Sequence, residues 1–179
     1  AKLAKAGYYV VLMDGRDVLI LPGDTRGLDG AANLRRVIKE AQSAEKAVPG
    51  KVALVGFSLG GGGVLLHGAP LQDQVAAVVA YYPAITHLGP DLQPLAARMQ
   101  TPVLVLAGGQ DRYRKCCLLE SMRALAKAPK SAPFELVVYP EANHGFNLAI
   151  PEVYRAEEAA DAWQRSTDFL KQYHPQGNR

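Results

Sequence analysis

The sequence predicts an α/β protein built on a doubly wound, mostly parallel sheet with helices on both faces. Short segments that are rich in β-branched residues and almost continuously apolar recur along the chain, and helical patterns separate them. Strands of this kind are buried on both faces, and right-handed crossovers carry the chain from one strand to the next through a helix. At 179 residues the chain fits one domain, which we expect to span 1–179.

The N-terminal part is predicted to contain one strand and one long helix. AKLAKAG reads as the end of a helix stopped by Gly7, because glycine accepts the left-handed backbone at that position. YYVVLM, residues 8–13, predicts a buried strand. Residues 14–30 are rich in Gly and Asp and predict a loop. Apolar residues at helical spacing over 31–47 predict an amphipathic surface helix.

The rest of the chain alternates between predicted strands and helices. KVALVGF at 51–57 predicts a strand, and a glycine-rich corner then leads into an apolar helical segment that ends near Gly68. Further strands are predicted at 75–82, 102–109 and 134–139, and helices near 91–99, 114–127 and 152–172. About five parallel strands are therefore expected.

Composition argues against two large classes of partner. The net charge is only +3 and the basic residues are scattered, whereas nucleic-acid binding needs a clustered basic face. No apolar run approaches the roughly 20 residues that cross a bilayer, so no membrane partner is expected. The adjacent Cys116 and Cys117 are poorly placed to bridge one another, which favours a reducing compartment and predicts a cytoplasmic protein.

The most informative motif is G-x-S-x-G at 56–60, directly between a predicted strand and a predicted helix. Such a sharp turn strains the central Ser58 and presents its hydroxyl above the sheet, and Gly56 and Gly60 remove Cβ atoms that would collide. The Leu59 N–H then faces any negative charge that forms there, as an oxyanion donor. The alternative is a phosphate-binding or tightly packed turn, but neither a P-loop lysine nor G-x-G-x-x-G spacing follows.

A nucleophilic serine requires a base, and four histidines compete for that role. His144 follows a predicted strand, so it emerges at the carboxyl end of the sheet, where Ser58 also lies. His67 falls inside the helix after the elbow, where packing or capping is the simpler role. His87 lies in a loop that could reach the mouth of the site, and His174 is in a polar tail.

Asp111 is the predicted acid of the triad. It follows the strand that precedes the His144 strand, and the chain order Ser, acid, His agrees with a nucleophile elbow of this kind. Its alternative role is to cap the next helix, which aspartate does well. Glu141 is the nearest rival and Asp91 a more distant one.

Three segments together resemble the dienelactone hydrolase branch of the α/β-hydrolases: the glycine-rich elbow at 56–63, GGQD at 108–111 and YPEANHGF at 139–146. The resemblance runs from about Ala1 to Tyr173. It implies Ser58 as nucleophile, Asp111 as acid and His144 as base. Dienelactone hydrolases proper carry cysteine at the nucleophile, so Ser58 departs from their pattern. The family also begins with strands and an oxyanion loop upstream of the segment that here starts at Ala1.

These observations predict a serine hydrolase that cleaves small-molecule carboxylic esters or lactones through an acyl-enzyme, without metal or organic cofactor. A non-catalytic scaffold or binding domain on the same fold is the alternative. A nucleophile at Cys116 or Cys117 is a third reading, disfavoured because neither cysteine sits at an elbow. Without its first strands the sheet is expected to look truncated, with its edge exposed, covered by residues 14–30, or paired in a homodimer.

Overall fold

A computed structural model describes residues 2–19 and 25–174. Its centre is a four-stranded parallel sheet in the order β1-β2-β3-β4, the same as the order in sequence. The strands are β1 Val52–Phe57, β2 Val75–Tyr81, β3 Val103–Gly108 and β4 Phe134–Tyr139. The predicted parallel α/β architecture is confirmed.

Six α-helices flank the sheet within the described residues: α1 Lys2–Lys5, α2 Gly30–Gln42, α3 Leu59–Gly63, α4 Gln93–Ala97, α5 Leu119–Lys127 and α6 Ala156–Tyr173. A π-helical turn, Val64–Gly68, continues α3. The sheet has one core on each face. Helices α2 and α5 bury apolar residues in the larger core, and α6 buries Phe169 and Leu170 in the other. Helices therefore cover both faces, as predicted.

The strand register determines where the connecting loops meet. Phe57 at the end of β1 pairs with Tyr81 at the end of β2, and Gly108 at the end of β3 pairs with Tyr139 at the end of β4. Because all four strands are parallel, their carboxyl ends share one edge of the sheet. The loops that follow the strands are thus held next to one another, which is where α/β sheets place ligand sites.

The predicted strand at 8–13 is wrong. These residues form no ladder with the sheet, and Tyr9 to Leu12 are exposed rather than buried. A strand is stabilised by pairing and by burial, and the β-branched composition of this segment supplies neither. The described sheet consequently has four strands instead of five. Gly7 does end the first helix, with a φ of 92°.

Four helices are shorter than predicted, and one of them is the helix predicted near 91–99, which is Gln93–Ala97. The helix predicted over 31–47 is Gly30–Gln42, and the one predicted near 152–172 begins only at Ala156. The helix predicted near 114–127 begins at Leu119. In that last case Arg114 and Lys115 have φ values of 46° and 54°, which a helix cannot contain. The predicted loop at 14–30 contains 3-10 turns at Gly15–Asp17 and Arg26–Asp29, and its residues 20–24 lie outside the described chain.

Cys116 and Cys117 form a disulfide between adjacent residues, whose Cα atoms are 3.8 Å apart. The sequence analysis expected no bridge, since the Cα atoms of bridged cysteines usually lie about 4.4–6.8 Å apart. That expectation is wrong. The cysteine pattern therefore carries no argument for a reducing compartment.

None of the helices within residues 2–19 and 25–174 is both long and apolar enough to cross a bilayer.

The two-sided core predicts how leucine truncations will behave. Leu106 on β3 is 0% exposed, whereas Leu28 in a surface turn is 63% exposed. Leu106→Ala is expected to lower the free energy of unfolding by about 2–5 kcal/mol, because it removes buried methyl groups and leaves a cavity. Leu28→Ala, the matched control, should change it by less than about 0.5 kcal/mol. Urea denaturation measures both, and equal losses would contradict this assignment of the core.

Candidate active site

Ser58 lies in the sharp turn between β1 and α3, with φ 51° and ψ −114°. A side chain other than glycine rarely adopts a positive φ, and such strain persists only where neighbouring contacts hold it. Two neighbours supply these contacts: the Ser58 N–H donates to the Tyr81 carbonyl at 3.0 Å, and the Ala84 N–H donates to the Ser58 carbonyl at 2.9 Å. The end of β2 and the loop after it therefore hold the serine in the predicted strained turn.

The two elbow glycines differ in what their small size permits. A Cβ on Gly56 would collide with the backbone carbonyl of Gly60, so glycine is required at position 56, as predicted. At Gly60 the nearest atom to an added Cβ is the Gly15 Cα, 3.9 Å away, so the predicted collision at this position is wrong. It is Gly15 that has to be small where the two segments meet, because a Cβ on Gly15 would lie 2.8 Å from the Gly60 nitrogen.

The three further glycines, at 61–63, allow neighbouring segments to approach α3. A Cβ on Gly61 would lie 3.0 Å from Pro83, and one on Gly62 would meet the Ala84 carbonyl. A Cβ on Gly63 would collide with the Val18 side chain. The expected close approach exists, but it involves mainly the loop after β2 and the segment around Val18. The absence of Cβ atoms at these glycines therefore allows both segments to contact α3 next to the elbow.

His144 lies between the other two predicted residues. Its Nε2 is 2.9 Å from the Ser58 Oγ, and its Nδ1 is 2.7 Å from the Asp111 Oδ2. Asp111 is only 1% exposed and the His144 side chain 16%. The three side chains are thus joined by the two contacts that the sequence predicted. This arrangement suits a base that takes the serine proton while a carboxylate orients the imidazole.

The alternative role of Asp111, as the cap of the next helix, is wrong, because the next α-helix begins only at Leu119. The Asp111 Oδ1 accepts a hydrogen bond from the Tyr113 N–H at 3.0 Å, so the same side chain shapes the turn after β3. This second bond holds the carboxylate in place and leaves Oδ2 for His144. The local turn and the contact with the histidine therefore depend on one side chain.

The competing candidates lie elsewhere. His174 contacts the Lys51 carbonyl at 2.8 Å, and Asp91 accepts a hydrogen bond from the Gln93 N–H at the start of α4. His67 is half-buried beside Gly30, and burial lowers its pKa. Burial also lowers the pKa of His87. The Glu141 side chain is exposed, and it is the backbone carbonyl of this residue that accepts a hydrogen bond, from Arg155.

Two tyrosines that the sequence analysis missed flank the histidine. The Tyr113 ring stacks on His144 with a centroid distance of 4.5 Å and an angle of 14°, and the Tyr82 ring lies 4.6 Å away at 58°. Burial raises the pKa of Tyr82 well above its usual range, and its hydroxyl donates to the Asn147 side chain at 2.7 Å. Tyr113 stands two residues after Asp111 and Tyr82 directly follows β2, so their position at strand ends was the available signal. The pair restricts the orientation of the imidazole.

An apolar groove of about 1210 Å³ reaches the serine from the β1 side. Its lining includes Phe57, Ser58 and Leu59, and also residues 9–13. The Phe57 side chain is exposed beside the serine. Ser58 is thus one of the residues that line this groove.

Comparison with known protein families gives a match over most of the chain. Residues 23–174 match the model of the dienelactone hydrolase family. The chain belongs to the dienelactone hydrolase family. Membership agrees with the resemblance found in the sequence, although the family match by itself assigns no role to any residue.

Two relatives in this family are each named "Putative carboxymethylenebutenolidase". The protein from Escherichia coli K12 is 36% identical over an alignment of 128 positions, which covers 69% of this chain and 46% of that protein. The protein from Methylorubrum extorquens is 29% identical over an alignment of 198 positions, which covers 96% of this chain and 65% of that protein. The chain therefore spans about half to two thirds of the length of these relatives.

Solved structures show the same fold. A "Putative Dienelactone Hydrolase" from Klebsiella pneumoniae superposes with a TM-score of 0.71 at 26% identity, covering 86% of this chain and 68% of the other. The esterase Pf2001 of Pyrococcus furiosus has a TM-score of 0.68 at 19% identity, covering 96% of this chain and 73% of the other. The second likeness supports the α/β-hydrolase fold alone.

The elbow geometry predicts unequal effects at the two flanking glycines. Gly56→Ala is expected to lower the free energy of unfolding by about 1–3 kcal/mol, because the new methyl group meets rigid backbone. Gly60→Ala adds the same methyl group where space is available, so its loss should be clearly smaller. Urea denaturation of the two variants tests this difference. A Gly60→Ala variant as unstable as Gly56→Ala would contradict the difference in space between the two positions.

Proposed function

We propose that this protein is a serine hydrolase of small-molecule carboxylic esters or lactones. The observation that supports this function is the continuous chain from Ser58 Oγ through His144 to Asp111, with separations of 2.9 Å and 2.7 Å. A serine hydroxyl is a weak nucleophile until an adjacent base accepts its proton. The imidazole is in position to do so, and the buried carboxylate stabilises the positive charge that the imidazole gains.

In the proposed reaction the Ser58 Oγ attacks the carbonyl carbon of the ester while His144 Nε2 takes the hydroxyl proton. The tetrahedral intermediate then collapses, and His144 gives that proton to the departing alcohol oxygen, leaving an acyl group on Ser58. Water attacks the acyl-enzyme with His144 again as base, which releases the acid and restores the serine. With a lactone substrate the alcohol and the acid remain in one molecule.

The proposed oxyanion donor is the Leu59 N–H. Leu59 is the first residue of α3, and the first N–H groups of a helix have no carbonyl acceptor one turn earlier in that helix. In the proposed reaction this N–H donates to the carbonyl oxygen of the substrate when that oxygen becomes negatively charged. Preorganised donors of this kind stabilise developing negative charge without reorganising during the reaction.

The substrate class follows from the surroundings of the serine and from the relatives. The groove beside Ser58 is mainly apolar, and Phe57 and Tyr113 add exposed aromatic rings near the triad. The relatives named carboxymethylenebutenolidase suggest a lactone, and the arrangement of Ser58, His144 and Asp111 suits a linear ester equally well. We therefore propose a small ester or lactone with an apolar or aromatic part.

Removal of the nucleophile tests the proposal directly. Ser58→Ala is expected to reduce hydrolysis of a p-nitrophenyl ester by at least about 1,000-fold, because no covalent intermediate can form. A fluorophosphonate probe should label the wild type on Ser58 and leave the variant unlabelled, while circular dichroism shows both folded. Absence of labelling in a folded wild type would favour a non-catalytic binding domain.

The acid can be tested against its nearest rival. Asp111→Asn keeps the shape of the side chain but loses the charge that orients and stabilises the imidazolium, so kcat should fall by about 100- to 10,000-fold. Glu141→Gln makes the same chemical change on an exposed side chain and should leave kcat almost unchanged. The kinetics of the two variants decide between these carboxylates, and a larger loss in Glu141→Gln would contradict the assignment.

A further inference from the structure

A cluster of three metal-ligating side chains lies beside the proposed triad. The sulfur atoms of Cys116 and Cys117 and a ring nitrogen of His144 all lie within 4.8 Å of one another. Cys117 is buried, and the other two side chains are half-buried. The proposed reaction uses His144 but has no role for either cysteine.

The backbone around the cysteines is anchored to the loop that follows β2. The Thr86 N–H donates to the Cys116 carbonyl at 3.0 Å, and the Thr86 Oγ1 accepts from the Leu118 N–H at 3.1 Å. Tyr113, three residues before Cys116, stacks on the His144 ring. The cysteines are thus held beside the histidine from both sides of their segment.

Two thiolates and one imidazole are a ligand set that zinc prefers. Zinc binds sulfur at about 2.3 Å and imidazole nitrogen at about 2.0 Å, which places neighbouring ligand atoms about 3.5–4 Å apart in a tetrahedral site. The three ligand atoms lie within 4.8 Å of one another, so after reduction of the disulfide they need to move by about an ångström to reach this spacing. Three protein ligands leave the fourth position to water.

We propose that, when its cysteines are reduced, the protein binds one Zn²⁺ ion through Cys116, Cys117 and His144, and that this ion switches off hydrolysis. The inhibitory part rests on the proposed function. Both His144 nitrogens are engaged, Nε2 with Ser58 and Nδ1 with Asp111. Whichever nitrogen binds the metal, one of these two contacts is lost, so His144 cannot act as an oriented base.

The disulfide controls access to this site. In the oxidised protein the sulfurs are bonded to one another and provide no thiolate. A phosphine reductant cleaves the bond: the disulfide accepts two electrons from phosphorus, water supplies the oxygen atom of the phosphine oxide, and the two water protons complete the thiols. Zinc then displaces one proton from each thiol as it binds. The oxidised enzyme is therefore active and insensitive to zinc, and the reduced enzyme is inhibited by it.

Cobalt titration tests the site independently of any activity. Co²⁺ substitutes for zinc and shows thiolate charge-transfer and tetrahedral visible bands when cysteines ligate it. Phosphine-reduced wild type should develop these bands at one equivalent, and the unreduced protein should not. Cys116→Ala/Cys117→Ala should lose the charge-transfer band, and His144→Ala should weaken cobalt binding by at least about tenfold. Absence of the bands in reduced, folded wild type overturns the proposal.

Hydrolysis of a p-nitrophenyl ester tests the consequence. Zinc should inhibit the reduced wild type at a concentration at least about tenfold lower than that needed for the unreduced protein or for the double cysteine variant, and a chelator should restore the rate. The single variant Cys116→Ala, which changes the less buried cysteine, repeats the comparison if the double variant does not fold. Equal zinc sensitivity in the reduced wild type and the cysteine variants overturns the inhibitory role. The cobalt bands in a protein without hydrolytic activity would support the metal site while refuting the proposed function.

Discussion

The rest of the site depends on the backbone of Ser58, which is held at a positive φ by hydrogen bonds to the end of β2 and to the loop after it. Such a conformation costs of the order of 1–3 kcal/mol and persists only in a rigid surrounding. That surrounding is the β1–β2 pair, together with a glycine at position 56 that permits the turn to close. If this turn relaxed, the serine oxygen would leave the position in which His144 meets it.

The parallel sheet assembles the remaining residues. Ser58, Asp111 and His144 come from the loops after β1, β3 and β4, and they meet because parallel strands end at the same edge. The turn after β3 shows how closely folding and the site are joined, since Asp111 holds both the Tyr113 backbone and the imidazole. Tyr113 then returns to stack on the ring that Asp111 orients.

The same edge of the sheet also places two cysteine side chains beside the triad. Two consecutive positive φ values, at Arg114 and Lys115, interrupt the helix that the sequence predicted there and place Cys116 and Cys117 beside His144. A regular helix from residue 114 would have carried these side chains along a different path. The proposed coupling between thiol chemistry and hydrolysis thus arises from a local departure from the predicted structure.

The sequence by itself determined the parallel α/β architecture and the three residues of the candidate triad. Strand periodicity and G-x-S-x-G are local signals, and the acid and the base were predicted from their positions after strands and from their order along the chain. Tertiary structure alone decided what depends on pairing and approach in space. YYVVLM has strand composition but no partner strand, Gly60 has room that its motif did not suggest, and adjacent cysteines bridge after a turn that periodicity could not reveal. Tyr82 and Tyr113 belong to this second group, since contact with His144 requires loops from three different strands to meet.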